Sequence, residues 1–189
     1  MILGPNDAVP RRPSRIVVAG TSGSGKTTLS ARIGLVLDIE HVEIDGLFHG
    51  ENWTPRASFE QDVDEFIARP AWVTEWQYSV VRDRLADRAD LFLWLDLRRR
   101  TVMRQIVIRT LRRRFGRTVL WNGNVEPPLH RIFFDREHVV RWAWNTHRLT
   151  AERVQRLGRC RPDLTIVRLR SHAEVDRWMA DRLIPAARI

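Results

Sequence analysis

Lysine is nearly missing from this 189-residue chain: Lys26 stands alone among 32 basic residues, and all the others are arginine. Cysteine is equally scarce. Cys160 has no possible partner within the chain, which excludes an intrachain disulfide and points to a reducing compartment. Long apolar runs are absent too, the longest being Leu91 to Leu95, far short of the roughly 20 residues of a membrane span. Met1 to Arg15 contains prolines and no apolar run of signal-peptide length, so a cytoplasmic protein with no membrane partner is expected. The six histidines show neither HxxxH nor HExxH spacing, which argues against a zinc site. Acid is missing from one stretch only. Residues 98–125 hold nine arginines and no Asp or Glu, whereas the rest of the chain balances 23 basic against 23 acidic residues. The net charge of +9 is therefore local, which excludes a uniformly basic protein that coats nucleic acid.

What is present suits one domain with a substantial core, since 43% of the residues are hydrophobic. Arg15 to Ala19 is a β-branched strand, followed by helical spacing at Leu29, Ile33, Val36 and Leu37. His41 to Ile44 reads as a second strand and ends at an Asp45-Gly46 turn. Thr54, as N-cap before Pro55, predicts a helix start, with Phe59, Val63, Phe66 and Ile67 as its apolar face. Strands follow at Ala71 to Trp76, Leu91 to Leu95 and Leu164 to Leu169. Helices are expected at Val80 to Asp87, Arg98 to Phe115, His130 to Leu157 and Ala173 to Leu183, with a loop over Thr118 to Pro128. Trp142 and Trp144, with Val139 and Val140, are expected to pack the second long helix. Strands alternating with helices argue for an α/β fold, a parallel sheet covered on both faces.

Gly20-Thr21-Ser22-Gly23-Ser24-Gly25-Lys26-Thr27 fits G-x-x-x-x-G-K-[ST] without a mismatch, between a strand and a helix. Glycines let such a loop curl so that backbone N–H groups face an anion, and the helix behind adds its positive end. Lys26 would reach the β- and γ-phosphates of ATP, and the Thr27 hydroxyl would ligate Mg²⁺, with Thr28 completing the nucleotide site. In this chain the single lysine stands where a flexible point charge differs most from a rigid fork.

In open α/β sheets the site lies beyond the carboxyl ends of the strands. Three acids fall there: Asp45, Glu75 and Asp96. Asp96 precedes a helix and reads as its N-cap. Asp45 reads as a turn residue or as the acid that orients or deprotonates an acceptor. Glu75 lies inside an apolar strand, where a carboxylate without a partner is costly, so it is a candidate for holding metal-bound water. Arg109 and Arg113, four residues apart, share one helix face and are the arginines expected to close on phosphates. Arg84 is a candidate grip for an anionic acceptor, and Trp53 a candidate wall of the acceptor pocket.

Beyond the phosphate-loop motif, the sequence resembles the adenylate-kinase-related P-loop kinases, specifically the topology modulation (FlaR-like) group. The resemblance rests on Ile44-Asp45-Gly46-Leu47-Phe48 with Trp53 and Pro55, on Thr74-Glu75-Trp76-Gln77-Tyr78-Ser79, on Arg82 to Leu85 with Arg88-Ala89-Asp90, on Leu95-Asp96-Leu97 and on Trp142-Ala143-Trp144. It implies a three-layer P-loop NTPase fold with five parallel strands in the order 2-3-1-4-5. It also implies an acceptor-binding insertion at about residues 46–70 and an arginine-rich lid at about 110–128. Where relatives carry an Asp-Gly pair after strand three this chain has Glu75-Trp76, which implies an altered acceptor pocket.

Two functions follow as expectations. The first is an ATP- and Mg²⁺-dependent phosphotransferase, like the nucleoside monophosphate kinases, acting on a nucleotide or other small acceptor. The second is a nucleotide-dependent nucleic-acid-binding or regulatory protein. The first is favoured, because the surplus charge falls where a lid belongs and no RNA-type motif accompanies it.

Overall fold

The computed structural model describes residues 2–9, 12–116, 119–124 and 139–187. The β-branched and aromatic runs become strands β1 (Ile2–Leu3), β2 (Arg15–Gly20), β3 (His41–Val42), β4 (Trp72–Glu75), β5 (Leu91–Leu95) and β6 (Thr165–Leu169). All pair in parallel within one sheet of order β1-β6-β5-β2-β4-β3. Both the count and the numbered order differ from expectation, because Ile2–Leu3 adds an edge strand beside β6. The other five strands keep the neighbour relations expected of them.

Eight α-helices cover the sheet among the described residues: α1 (Lys26–Leu37), α2 (Ile44–Phe48), α3 (Phe59–Ile67), α4 (Arg82–Arg88), α5 (Arg99–Phe115), α6 (Val139–Cys160), α7 (His172–Trp178) and α8 (Ile184–Ala187). A π-helical segment, Met179–Leu183, joins the last two. Because strand side chains alternate between faces, β2 feeds two separate cores. Val17 and Ala19 join Phe92, Trp94, Trp72 and the apolar residues of α3 on one face. Ile16 and Val18 join Leu93, Val167 and the α1 stripe Leu29, Ile33 and Leu37 on the other. The α3 residues Phe59, Val63, Phe66 and Ile67 are all buried, as their spacing requires.

Several boundaries depart from the sequence reading. Ile44 and Asp45 do not end a strand but open α2, so Asp45 sits in a helical first turn. Thr54 is not a helix N-cap. Its hydroxyl donates to the Glu51 carbonyl at 2.6 Å, Pro55 pairs with His49 as an isolated bridge, and α3 begins only after Ser58. Asp96 does not cap α5, which starts at Arg99. Parallel pairing sets Trp94 beside Arg168, and that arginine reaches Asp96 Oδ2 with its Nε at 2.8 Å. Trp144 is half exposed under the Arg99 guanidinium, 3.5 Å from the ring centroid, rather than packed inside. The expected helix start at His130, residues 118 and 125–128 of the expected loop, and the side chains of Val139, Val140 and Trp142 lie outside the described residues.

Candidate active site

The loop between β2 and α1 is shaped by two glycines in the left-handed region, Gly23 (φ 84°) and Gly25 (φ 92°). A Cβ on Gly23 would stand 2.7 Å from Ile106 Cβ, so α5 rests directly on the phosphate loop. That contact brings the arginine-rich helix to the loop, with Val102 and Ile106 buried on its inner face. The Ser24 Oγ is buried with no hydrogen-bond partner among the described residues. An unsatisfied buried hydroxyl inside a curled glycine loop is what an oxygen-rich anion would complete, so these residues fit a phosphate chain.

Lys26 is buried, and its only hydrogen bond among the described residues is a long one, 3.4 Å, to the Thr21 carbonyl. Burial pulls its pKa down to about 8. The Asp45 and Glu75 carboxylates pull it back up, and the Arg109 guanidinium lowers it further. These four side chains are thus within electrostatic reach of one amine, although they come from α1, α2, β4 and α5. Arg113 stands one turn beyond Arg109 on α5 and is half buried.

Sheet register explains where Glu75 sits. It pairs with Val18, two residues before the phosphate loop, at the carboxyl end of β4. The carboxylate is almost fully buried and is held at both oxygens. His41 Nε2 donates to Oε1 at 2.8 Å, and the Ile44 backbone N–H donates to Oε2 at 3.2 Å. Glu75 and the Thr27 hydroxyl are hard oxygen donors beside the loop and fit a Mg²⁺ ion held partly through water.

Asp45 is pinned through Oδ1 alone. Gln77 Nε2 donates to it at 2.5 Å and the Tyr78 hydroxyl at 2.6 Å. Burial, and next the Asp45 charge, push the Tyr78 pKa upward, so the phenol stays a donor. Tyr78 holds a left-handed backbone (φ 56°), which costs a non-glycine residue about 1–3 kcal/mol and is retained where surroundings enforce it. With the phenol proton given to Asp45, His49 Nε2, 3.2 Å away, donates to the phenol oxygen. Asp45 Oδ2 accepts no hydrogen bond among the described residues.

Half-buried rings stand around this carboxylate. Phe48 stacks on Tyr78 at 4.0 Å, and His49 meets Trp53 at 5.0 Å and Trp121 at 6.1 Å. Trp53 is therefore placed in an aromatic cluster beside Asp45. Trp121 comes from the segment 119–124, expected to belong to a lid, and lies against Gly46. Asn124 clasps that segment to residues 50–53: its Oδ1 accepts from the Trp53 N–H at 2.9 Å, and its Nδ2 donates to the Gly50 carbonyl at 2.8 Å.

One expected site residue lies elsewhere. Arg84 points along the surface from α4 to α3, where Glu60 and Asp64 hold it, so it grips protein carboxylates instead of an acceptor. Trp76 fills core rather than a pocket, its ring edge-on to Phe92 at 5.1 Å and its indole N–H donating to the Arg82 carbonyl. Sequence reasoning missed His41, Gln77, Tyr78, His49, Trp121 and Asn124. Tyr78, the sole tyrosine, carried a signal in its place two residues after Trp76. The others carried none, because their roles depend on long-range contacts.

A cavity of about 570 Å³ opens at the opposite end of the sheet, where β2, β5 and β6 begin. Most of its charges are already engaged, Arg161 with Asp87 and Asp163, Asp90 with Ser14 and Arg15, and Arg88 with the Ile67 carbonyl, which makes it a poor ligand site.

Comparison with solved structures bears on the fold. A shikimate kinase from Acinetobacter baumannii in complex with shikimate superposes with a TM-score of 0.51 at 14% identity, over 88% of this chain and 89% of that one. The fold is that of the P-loop kinases. A sugar kinase from Janibacter sp. HTCC2649 (TM-score 0.49, 18% identity, 94% of this chain and 98% of that one) aligns more loosely. So does a gluconokinase from Sinorhizobium meliloti 1021 (0.42, 22%, 77% and 98%), and nothing is argued from either. No family model matches the chain, and no curated protein does. No helix among the described residues is long and apolar enough to cross a membrane.

Proposed function

We propose that the protein is an ATP-dependent phosphotransferase that moves the γ-phosphoryl group of Mg·ATP to a hydroxyl of a small acceptor. The observation that carries this reading is the meeting of Asp45, Glu75 and Arg109 around the buried Lys26 amine, with Asp45 Oδ2 left open.

The glycine loop from Gly20 to Thr27, with Thr28, binds the phosphate chain through its backbone N–H groups, and Lys26 places a positive charge against the β- and γ-phosphates. Mg²⁺, held by Thr27 and through water by Glu75, would neutralise charge on the transferring group. His41 and the Ile44 N–H keep the Glu75 carboxylate facing the loop. Asp45 Oδ2 accepts the proton of the acceptor hydroxyl while Tyr78 and Gln77 hold Oδ1 still. The acceptor oxygen forms a bond to the γ-phosphorus as the bond from that phosphorus to the β–γ bridging oxygen breaks, and ADP leaves with the electron pair. Arg109, and Arg113 one turn further, balance charge on the equatorial oxygens. Trp53 walls the acceptor side, the segment around residues 46–70 holds the acceptor, and that around 110–128 closes over the phosphates. The resemblance to nucleoside monophosphate kinases suggests a nucleotide acceptor, whereas the geometry by itself requires only a hydroxyl. A nucleic-acid role is not favoured, because α5 rests on the phosphate loop and turns Arg109 towards Lys26.

The test is transfer from γ-labelled ATP with Mg²⁺ to a panel of nucleosides, nucleotides, sugars and small alcohols. Labelled acceptor is expected from the native protein and none from Lys26→Ala. Release of free phosphate only, accelerated by DNA or RNA, would replace this reading with the nucleic-acid one.

A further inference from the structure

Charge is divided across the site more sharply than phosphate transfer to a nucleotide requires. α5 carries seven arginines and no acid, and it delivers Arg109 to the phosphate loop. The acceptor side is the reverse. Residues 40–69 contain eight acids and two arginines. Both arginines are already taken, Arg56 by Asp62 at 3.1 Å and Arg69 by Glu40. The next two arginines along the chain are no freer. Arg84 is held by Glu60 and Asp64, and Arg82 is tucked over the Trp76 ring at 5.1 Å, where burial works against its charge. Arg88 donates to the Ile67 carbonyl. Four of the eight acids are used in these pairs, and Glu43, Asp45, Glu51 and Glu65 keep no arginine partner among the described residues. A phosphomonoester or carboxylate brought to Asp45 would therefore meet that remaining like charge, with every arginine of residues 40–90 already in contact with protein groups. Like charges in a partly dry site are a strong discriminator, because neither solvent nor a counter-ion screens them well.

What the acceptor side does offer is aromatic surface. The half-buried rings of Phe48, His49, Trp53, Tyr78 and Trp121 form one cluster that reaches the Asp45 carboxylate through the Tyr78 hydroxyl, and the Asn124 clasp holds the Trp121 segment to it from a distant part of the chain. Aromatic faces beside a carboxylate bind planar rings by stacking and ammonium groups by cation–π attraction.

We propose that the phosphoryl acceptor is a hydroxyl compound bearing no anionic group, held through a ring face or an ammonium centre against this aromatic cluster. The proposal rests on the phosphotransferase reading above and narrows it, turning away from nucleoside monophosphates and sugar acids.

Matched pairs test it: adenosine against AMP, thymidine against TMP, and glucosamine against gluconate, each offered with γ-labelled ATP and Mg²⁺ at low and at physiological salt. The uncharged or cationic member is expected to be labelled with kcat/KM at least tenfold above its anionic partner at both salt concentrations. Preference for the anionic members overturns the proposal and leaves the phosphotransferase reading standing. Label on neither member of any pair overturns it as well. In that case the wider reading falls too only if Mg·ATP binding, measured by calorimetry, is the same in Lys26→Ala as in the native protein. For the ring contact, Trp53→Ala is expected to raise KM for the labelled acceptor about tenfold with a smaller change in kcat. An unchanged KM removes the aromatic part of the proposal.

Discussion

Lys26 carries the largest consequence of a single side chain. Its pKa of about 8 leaves the empty loop roughly half protonated at pH 8, and a phosphate anion favours the charged form. Nucleotide binding at pH 8 is therefore expected to take up about half a proton per site, read from calorimetry in buffers of different ionisation heat. The uptake should vanish in Lys26→Ala. The same depression acts on folding. The folded pKa lies below the unfolded one, so the buried ammonium weakens the empty protein fully below about pH 8. That cost fades as pH rises towards 10.5. Tyr78 is the second such residue. Tyr78→Phe removes one of the two hydrogen bonds to Asp45 Oδ1, and a bond to a charged group contributes about 1.5–3 kcal/mol. A 10- to 100-fold loss of kcat with little change in the KM for ATP is expected from steady-state kinetics.

At the scale of elements, the contact between α5 and the phosphate loop decides where the arginines of α5 stand. Gly23→Ala forces a Cβ into Ile106 at 2.7 Å and strains a φ of 84°. The left-handed backbone alone costs roughly 1–2 kcal/mol. Loss of most nucleotide binding and a lowered melting temperature are expected, measurable by calorimetry and thermal unfolding. The Asn124 clasp is the other element-level device. Asn124 is buried, and its amide also donates to the Trp121 carbonyl at 2.8 Å. Asn124→Ala leaves the Trp53 N–H and the Gly50 carbonyl without their partner, at about 1–3 kcal/mol for each group that stays buried. Faster amide exchange across residues 46–53 and 119–124 is expected, together with a higher KM for the acceptor.

Across the whole molecule, charge is sorted by segment: arginine gathers on α5, which rests on the phosphate loop, and acid gathers on residues 40–69. Such a division steers a polyanion towards the phosphate loop over distances comparable to the screening length, which contracts from about 30 Å at 0.01 M salt to about 8 Å at 0.15 M. The association rate for ATP, followed by stopped-flow tryptophan fluorescence, is expected to fall severalfold over that range. The dissociation rate is expected to change much less.

How much of this was legible in the chain depended on the range of the interaction. The phosphate loop, the helix behind it, the buried stripe of α3 and the neighbour relations of five strands follow from spacing and residue type, which act within a few residues. Glu75 was legible for the same reason, because a carboxylate inside an apolar strand announces a cost that something must offset. The short strand Ile2–Leu3 was not, since two residues pair only because β6 already presents an open edge. Arg84 misled, because a surface arginine takes whichever carboxylate is nearest, and Glu60 and Asp64 on α3 come within reach only after packing. The same holds for the restraint of Asp45 by Tyr78 and Gln77, of Glu75 by His41, and of residues 119–124 by Asn124. By itself the sequence determined the phosphate-loop motif and the strand and helix that carry it, since a glycine loop and a helix start are local structures. Only the tertiary structure decided which oxygen of Asp45 is left open and what surrounds it, because those contacts join residues about 30 to 75 positions apart.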